Sequence, residues 1–140
     1  MPPFKIIYLP MTADLFHIGH LRVIRQCRKL GVVVIGLLSD KAIKNYRGQY
    51  PIIPYWQRKE ILEALPEVSM VVKQNSLAFP FKKGLIDYVA SGDGFEPEEL
   101  KSIKELGCRK LDIKLKGERR KRFSSTAIKN KICLLCKKSS

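Results

Sequence analysis

Residues 12–20 read Thr-Ala-Asp-Leu-Phe-His-Ile-Gly-His and separate a predicted strand, residues 4–9, from a predicted helix, residues 21–30. In open parallel α/β sheets, ligands bind at the carboxyl ends of strands, and a helix N-terminus there offers free N–H groups to phosphate. His17 and His20 flank a glycine at this junction and can supply hydrogen bonds and positive charge. The stretch therefore predicts a nucleotide site.

The chain around this stretch alternates predicted strands and helices. Residues 32–38 form an unbroken apolar run, which is typical of a central parallel strand buried on both faces. Residues 39–54 are predicted to be a basic loop. Further strands are predicted at residues 70–72, 86–90 and 111–115, the last nearer a sheet edge, and further helices at residues 55–65, 97–106 and 127–135. This order predicts an α/β fold, a Rossmann-like doubly wound sheet of five parallel strands with helices on both faces.

Length and composition indicate one domain over residues 1–140. No apolar run approaches the roughly 20 residues that span a bilayer. The first residues also lack the pattern of a secretory signal, so we expect a cytoplasmic protein with no membrane span.

The net charge of +14 comes mainly from the end of the chain. Residues 1–100 carry 13 Lys and Arg against 10 Asp and Glu, whereas residues 101–140 carry 14 against 3. A basic C-terminal segment from about residue 116 suits nucleic acid, an anionic membrane surface or a polyanionic small substrate, and a solvated tail is the structural alternative. Nucleic acid is disfavoured because the basic residues cluster around a helix start and do not interleave with aromatic residues.

No zinc site is predicted. His17 and His20 have the spacing of half a zinc site, but no third histidine or nearby cysteine completes it. The four cysteines are too few for a disulfide scaffold, and we interpret Cys133 and Cys136 as ordinary thiols.

Several charged residues are candidates for the same site. Asp14 is expected to orient the loop, cap the helix or contact the ligand. Lys44 and Arg58 are candidate phosphate clamps. Asp93 lies between two glycines after the fourth strand and is expected to bind Mg²⁺ or a ligand donor, or to serve the turn.

A second anion site is predicted at the start of the last helix. Ser124, Ser125 and Thr126 follow the basic run of residues 119–122, so their hydroxyls either cap the helix or hold a phosphate. A site that combines both ends of the chain would neutralise charge as two phosphates approach, with little need for a protein nucleophile.

Residues 14–20 and 39–41 resemble the nucleotidyltransferase superfamily that bears the HxGH motif. The resemblance is closest to the cytidylyltransferases that activate phosphocholine, phosphoethanolamine, glycerol 3-phosphate or 2-aminoethylphosphonate. It covers roughly residues 6–132 and includes residues 35–43, 57–59, 92–93 and 124–126.

The resemblance implies a role for each matching residue. His17 and His20 would contact the nucleotide phosphates and stabilise the transition state, with Lys44 and Arg119 also in the reacting site. The nucleotide-binding set would be Met11, Thr12, Ala13, Asp14, Arg58, Gly92, Asp93, Ser124, Ser125 and Thr126.

The implied reaction is attack of a phosphate or phosphonate oxygen on the α-phosphorus of CTP, with release of pyrophosphate and with Mg²⁺ shielding charge. A homodimer is also implied. An adenylyltransferase that uses ATP with an FMN or pantetheine-phosphate type of acceptor is the second hypothesis, and a non-catalytic nucleotide- or nucleic-acid-binding relative is the third.

Two departures from the family pattern concern the substrate. Residues 11–14 lack the glycine and the aromatic residue that usually precede HxGH, and Lys121 and Arg122 replace an acid and a glycine near the triphosphate. The added positive charge favours an acceptor more negative than phosphocholine.

Overall fold

The computed structural model describes residues 4–114 and 125–138, which form five strands and five helices. The strands are β1 Ile6–Met11, β2 Val32–Leu38, β3 Met70–Gln74, β4 Tyr88–Ser91 and β5 Arg109–Asp112. The helices are α1 Ile18–Leu30, α2 Asp40–Arg47, α3 Tyr55–Glu63, α4 Pro97–Leu106 and α5 Ser125–Lys138.

All five strands belong to one parallel sheet in the order β3-β2-β1-β4-β5. The predicted doubly wound α/β architecture is therefore confirmed, including the edge position of the fifth strand. The strand order reverses between β1 and β4, because the chain runs outward from β1 in one direction and returns to its other side. A crevice at the carboxyl ends of these two strands is where such sheets bind ligands.

The core lies on both faces of the sheet. On one face, Ile7 and Leu9 of β1 are buried against Ile24 of α1 and Leu62 of α3. On the other, the adjacent Tyr8 packs with Phe79, Val89 and Ile103 of α4. This alternation follows the two-residue period of a strand and explains why the central strands read as continuous apolar runs.

The predicted loop at residues 39–54 is wrong over its first half. Ser39 caps α2 through its Oγ, which accepts a hydrogen bond from the Ala42 N–H at 3.1 Å, and Gly48 ends the helix in the left-handed conformation at φ 80°. Ala42 and Ile43 are buried in a third apolar cluster with Leu38. Burial of Ala42 and Ile43 stabilises the helix, although the polar, glycine-containing composition of this segment indicated a loop.

The other elements differ from prediction only at their ends. β1 and β4 begin two residues later than predicted, α1 begins three residues earlier, and β5 lies at Arg109–Asp112. Residue 115 lies outside the described residues. Within residues 4–114 and 125–138, no helix is long and apolar enough to cross a membrane.

Candidate active site

A cleft of about 290 Å³ opens at the carboxyl ends of β1 and β4. Seven of the predicted site residues line it: Met11, Thr12, His17, His20, Gly92, Asp93 and Thr126. The structure adds residues that sequence reasoning missed, namely Leu9, Pro10, Gly19, Val23, Leu38, Tyr46, Arg47, Leu77, Ser91, Gly94, Glu96 and Glu99. The cleft therefore joins the loop before α1, the end of α2, the start of α4 and the start of α5.

His17 and His20 form a reciprocal pair at the start of α1. His17 is the N-cap residue, and its Nδ1 accepts a hydrogen bond from the Gly19 N–H at 3.0 Å. The Nδ1 of His20 accepts from the His17 N–H at 3.2 Å, and the two ring centroids lie 3.9 Å apart. Because both Nδ1 atoms are acceptors, each neutral ring carries its hydrogen on Nε2.

Both imidazoles favour the neutral form. Burial lowers the pKa of His17, with the carboxylate of Asp93 opposing the shift. Burial, and then the neighbouring His17, lower the pKa of His20 to about 4. At neutral pH the pair therefore presents two N–H donors and no fixed positive charge in the absence of an anion.

The opposite wall of the cleft is formed by the turn after β4 and the start of α4. A Cβ added at Gly92 would lie 2.8 Å from Cγ2 of Val23, so glycine permits this turn to pack closely on α1. Gly94 adopts φ +89°, in the left-handed region that suits glycine. The two glycines that flank Asp93 thus fix the turn that carries it.

This wall is acidic and touches α2. Asp93, Glu96 and Glu99 all line the cleft, and burial raises the pKa of Glu99. The Tyr46 hydroxyl donates to Oε1 of Glu96 at 2.6 Å, which raises the pKa of Tyr46 to about 12. The cleft is consequently lined by three carboxylates as well as by the two histidines and Arg47.

Arg47, and not the predicted Lys44, is the basic residue of α2 that lines the cleft. Its positive charge helps to lower the pKa of His20, after the larger effects of burial and of His17. Lys44 lies one turn earlier, and its Nζ donates to the Gly48 carbonyl oxygen at 2.7 Å, at the C-terminal end of α2. Had residues 40–47 been predicted as a helix ending at Gly48, this capping role of Lys44 would have been foreseeable.

Asp14 is buried and is not among the residues that line the cleft. Its Oδ1 accepts from the Ile53 N–H at 2.9 Å and its Oδ2 from the Ile52 N–H at 3.0 Å. The Nζ of Lys129 lies 3.2 Å from the same Oδ2. Of the three expected roles, the geometry matches loop orientation, since His17 caps α1 and the carboxylate is occupied by these donors.

Arg58 is likewise buried, with an exposed fraction of 1%, and is not a lining residue of the cleft. Its guanidinium donates to the carbonyl oxygens of Thr12 at 2.7 Å, Leu38 at 2.9 Å and Ile53 at 2.9 Å. It also donates to Oδ1 of Asp40 at 2.7 Å. In this arrangement Arg58 holds the backbone that surrounds the site and is not placed to clamp a phosphate.

Of the remaining predicted residues, one is buried, one lines the cleft, and the others lie wholly or in their side chains outside the described residues. Ala13 is buried and adopts φ 51° in the left-handed region, as does Leu15 at φ 52°, so the loop before His17 is strained at two non-glycine residues. Thr126 of α5 reaches the cleft. Arg119, Ser124, Lys121 and Arg122 lie outside the described residues, and so does the side chain of Ser125.

Residues 8–131 match the model of the cytidylyltransferase-like family. The chain belongs to this family. It is thereby a member of the nucleotidyltransferase superfamily that bears the HxGH motif, as the resemblance at residues 14–20 indicated.

Curated relatives carry different activities. A phosphopantetheine adenylyltransferase of Pyrococcus furiosus is 33% identical over 120 residues, covering 79% of this chain and 75% of that protein. An ethanolamine-phosphate cytidylyltransferase of Arabidopsis thaliana is 33% identical over 95 residues, covering 62% and 22%. The bifunctional protein HldE of Desulfatibacillum aliphaticivorans is 31% identical over 112 residues, covering 75% and 23%. The chain thus spans less than a quarter of the HldE and ethanolamine-phosphate relatives.

The fold also matches a solved structure. The lipopolysaccharide core biosynthesis protein of Thermoplasma volcanium GSS1 superposes with a TM-score of 0.63 at 20% identity, covering 81% of this chain and all of that one. This similarity supports the Rossmann-like architecture.

We predict that Arg58→Met destabilises the fold by about 3 kcal/mol or more, since its carbonyl and carboxylate partners lose a buried charged donor. Urea unfolding followed by circular dichroism measures the change. The control is Arg25→Met, because Arg25 is exposed and its 3.4 Å pair with Glu67 is of the surface type, expected to contribute less than about 1 kcal/mol. Wild-type stability of the Arg58 variant, with only a raised KM, would instead indicate a phosphate clamp.

The lowered histidine pKa predicts a pH-dependent stability. Unfolded His20 titrates near 6.5 and folded His20 near 4, so the unfolded chain binds more protons in this interval. The stabilisation is therefore complete above about pH 6.5 and is lost as the pH falls toward 4. His20→Asn should reduce the slope of unfolding free energy against pH in this window, and an unchanged slope would contradict the assignment.

Proposed function

We propose that the protein is a cytidylyltransferase that transfers CMP from CTP to a small phosphorylated or phosphonylated alcohol or amine and releases pyrophosphate. The observation that carries this proposal is the reciprocal His17–His20 pair, whose Nδ1 atoms are both occupied by backbone N–H groups. Its Nε2–H groups are left as donors, and both histidines line the cleft. Family membership supports nucleotidyl transfer, and the nucleotide and acceptor are the proposed part.

The reaction would proceed by displacement at the α-phosphorus. An oxygen of the acceptor forms the new P–O bond while the bond to pyrophosphate breaks, and the leaving group takes the electron pair. The histidine Nε2–H groups would donate to the phosphate oxygens on which negative charge accumulates, and Arg47 would add a fixed positive charge beside them. No residue of the chain needs to act as a nucleophile.

Magnesium is part of the proposal. Among the residues that the structure describes, no group of three or more His, Cys, Asp or Glu side chains is arranged to hold a metal ion. Asp93 lines the cleft and is the candidate protein ligand that would hold Mg²⁺ through its carboxylate. The ion would supply charge neutralisation on the triphosphate.

ATP is the second candidate nucleotide, and one comparison favours it specifically. The phosphopantetheine adenylyltransferase relative shares three quarters of its own length with this chain, a larger share than the ethanolamine-phosphate cytidylyltransferase does. The acceptor would then be a phosphorylated cofactor precursor. In either case we propose a homodimer, in line with the family resemblance.

A substrate panel tests the proposal. Pyrophosphate release is measured with CTP and with ATP in the presence of Mg²⁺, using phosphocholine, phosphoethanolamine, glycerol 3-phosphate, 2-aminoethylphosphonate, FMN and 4′-phosphopantetheine as acceptors. Turnover with CTP supports the first candidate, and turnover with ATP alone overturns it in favour of the second. Failure of the folded protein to bind either nucleotide, with salt-sensitive RNA binding that persists in the histidine variants, would favour the nucleic-acid alternative.

Asparagine variants separate the catalytic from the structural role of the histidines. Asn retains an acceptor near the Nδ1 position and caps helices well, but it lacks the Nε2–H donor. We therefore expect His17→Asn and His20→Asn to lower kcat by about a hundredfold or more while the fold is retained. His17→Ala should in addition lower the free energy of unfolding by about 1 kcal/mol through loss of the cap. Near-normal kcat in both asparagine variants would contradict the site assignment.

The basic residues of α2 provide a matched pair of variants. Arg47→Ala removes a cation from the cleft and is expected to lower kcat/KM by about tenfold or more. Lys44→Ala removes a cation from the same helix, but this cation contacts the Gly48 carbonyl oxygen and does not line the cleft. The substitution should therefore change kcat/KM by less than twofold. The reverse order would restore Lys44 as the phosphate contact.

A further inference from the structure

One ion pair connects α5 to the interior of the site loop. The Nζ of Lys129 lies 3.2 Å from Oδ2 of Asp14. The two partners are unlike in burial, because the Asp14 side chain is 3% exposed and that of Lys129 is 37% exposed. A charge on the surface of the last helix therefore reaches a carboxylate inside the fold.

Asp14 is a fixed anion at this position. Burial alone raises its pKa, but hydrogen bonds from the Ile53 and Ile52 N–H groups, together with Lys129, hold that pKa below its ordinary value. The Ile52 and Ile53 N–H groups belong to the loop before α3, so two of the contacts of Asp14 do not depend on α5. The attraction between Lys129 and a desolvated partner is also stronger than between two surface charges.

The same helix contributes a residue to the cleft. Thr126 precedes Lys129 by three positions on α5, and residues three apart lie on the same side of a helix. Thr126 lines the cleft together with His17 and His20, whereas Lys129 contacts Asp14, which is buried and does not line it. The ion pair is thus one helical turn from the point where α5 meets the candidate nucleotide site.

We propose that Lys129 is a positioning residue. Its ion pair with Asp14 holds the first turn of α5, and with it Thr126, against the cleft in the arrangement that binds the nucleotide. This inference rests on the proposed function for its ligand, since the cleft is taken to bind a nucleotide, but the docking of α5 is a property of the protein alone. Nucleotide binding and α5 docking should then favour each other, because coupling between two equilibria is reciprocal.

Steady-state kinetics test the positioning role on the full chain. Lys129→Met should raise KM for the nucleotide about tenfold and change kcat by less than about twofold, since it removes an interaction that prepares the site. Lys129→Arg, which keeps the charge, should restore most of the affinity. Lys131→Met is the matched control, because Lys131 is an exposed lysine two residues further along the same helix and should leave KM unchanged.

A coupled variant shows whether Lys129 acts through Asp14. If it does, adding Lys129→Met to Asp14→Asn should change KM by less than twofold, because the partner is already lost. A strong kcat defect in Lys129→Met with unchanged KM would mean that the lysine contacts the reacting phosphates directly, and this would overturn the positioning role. An unaltered KM in Lys129→Met would overturn it as well.

Amide hydrogen exchange gives a readout that does not depend on activity. In the protein without nucleotide, exchange over residues 126–137 should be several-fold faster in Lys129→Met than in the wild type and in Lys131→Met. If no nucleotide is turned over by any form, the proposed function fails while this measurement still decides the docking of α5. Equal exchange in all three proteins would contradict the inference.

Discussion

The site depends above all on the buried guanidinium of Arg58. It donates to carbonyl oxygens that follow β1, end β2 and precede α3, and to the carboxylate of Asp40 at the start of α2. Removing a cation from water is costly unless its donors are satisfied, and here four hydrogen bonds to three carbonyls and a carboxylate compensate it. The charge is thereby used to fix the relative positions of the segments around the cleft.

Asp14 completes this framework with the opposite charge. Both side chains bind the backbone of Ile53. The Ile53 N–H donates a hydrogen bond to the Asp14 carboxylate, and the Ile53 carbonyl oxygen accepts one from the Arg58 guanidinium. The loop before α3 is therefore held from both sides, and the strained loop that carries Ala13 and Leu15 is held with it. Such strain persists only where the surrounding structure determines the backbone. The contacts that hold this loop therefore also preorganise His17 and His20 at the start of α1.

Features that depend on residues close together in the chain could be predicted from the sequence. Periodicity and apolar runs predicted the parallel sheet, and the two histidines predicted at the strand-to-helix junction both line the cleft. Roles that depend on burial could not be read in the same way. Nothing in the composition near Arg58 shows that its side chain is 0% exposed, so a phosphate clamp and a backbone clamp look alike in sequence. Which of Lys44 and Arg47 reaches the cleft depends on where α2 ends, and the sequence had predicted a loop in place of this helix.

The charge state of the histidine pair connects this framework to chemistry. Ring centroids 3.9 Å apart make it unfavourable for both imidazoles to be positive at once, and His17 helps to lower the pKa of His20. The unliganded site therefore has one fixed cation in its described part, Arg47, next to two neutral donors. A bound triphosphate would raise both histidine pKa values, because an opposite charge favours the charged form. The two histidines would then carry positive charge mainly when the nucleotide is bound. The free protein would not have to stabilise two buried cations at the N-terminus of α1.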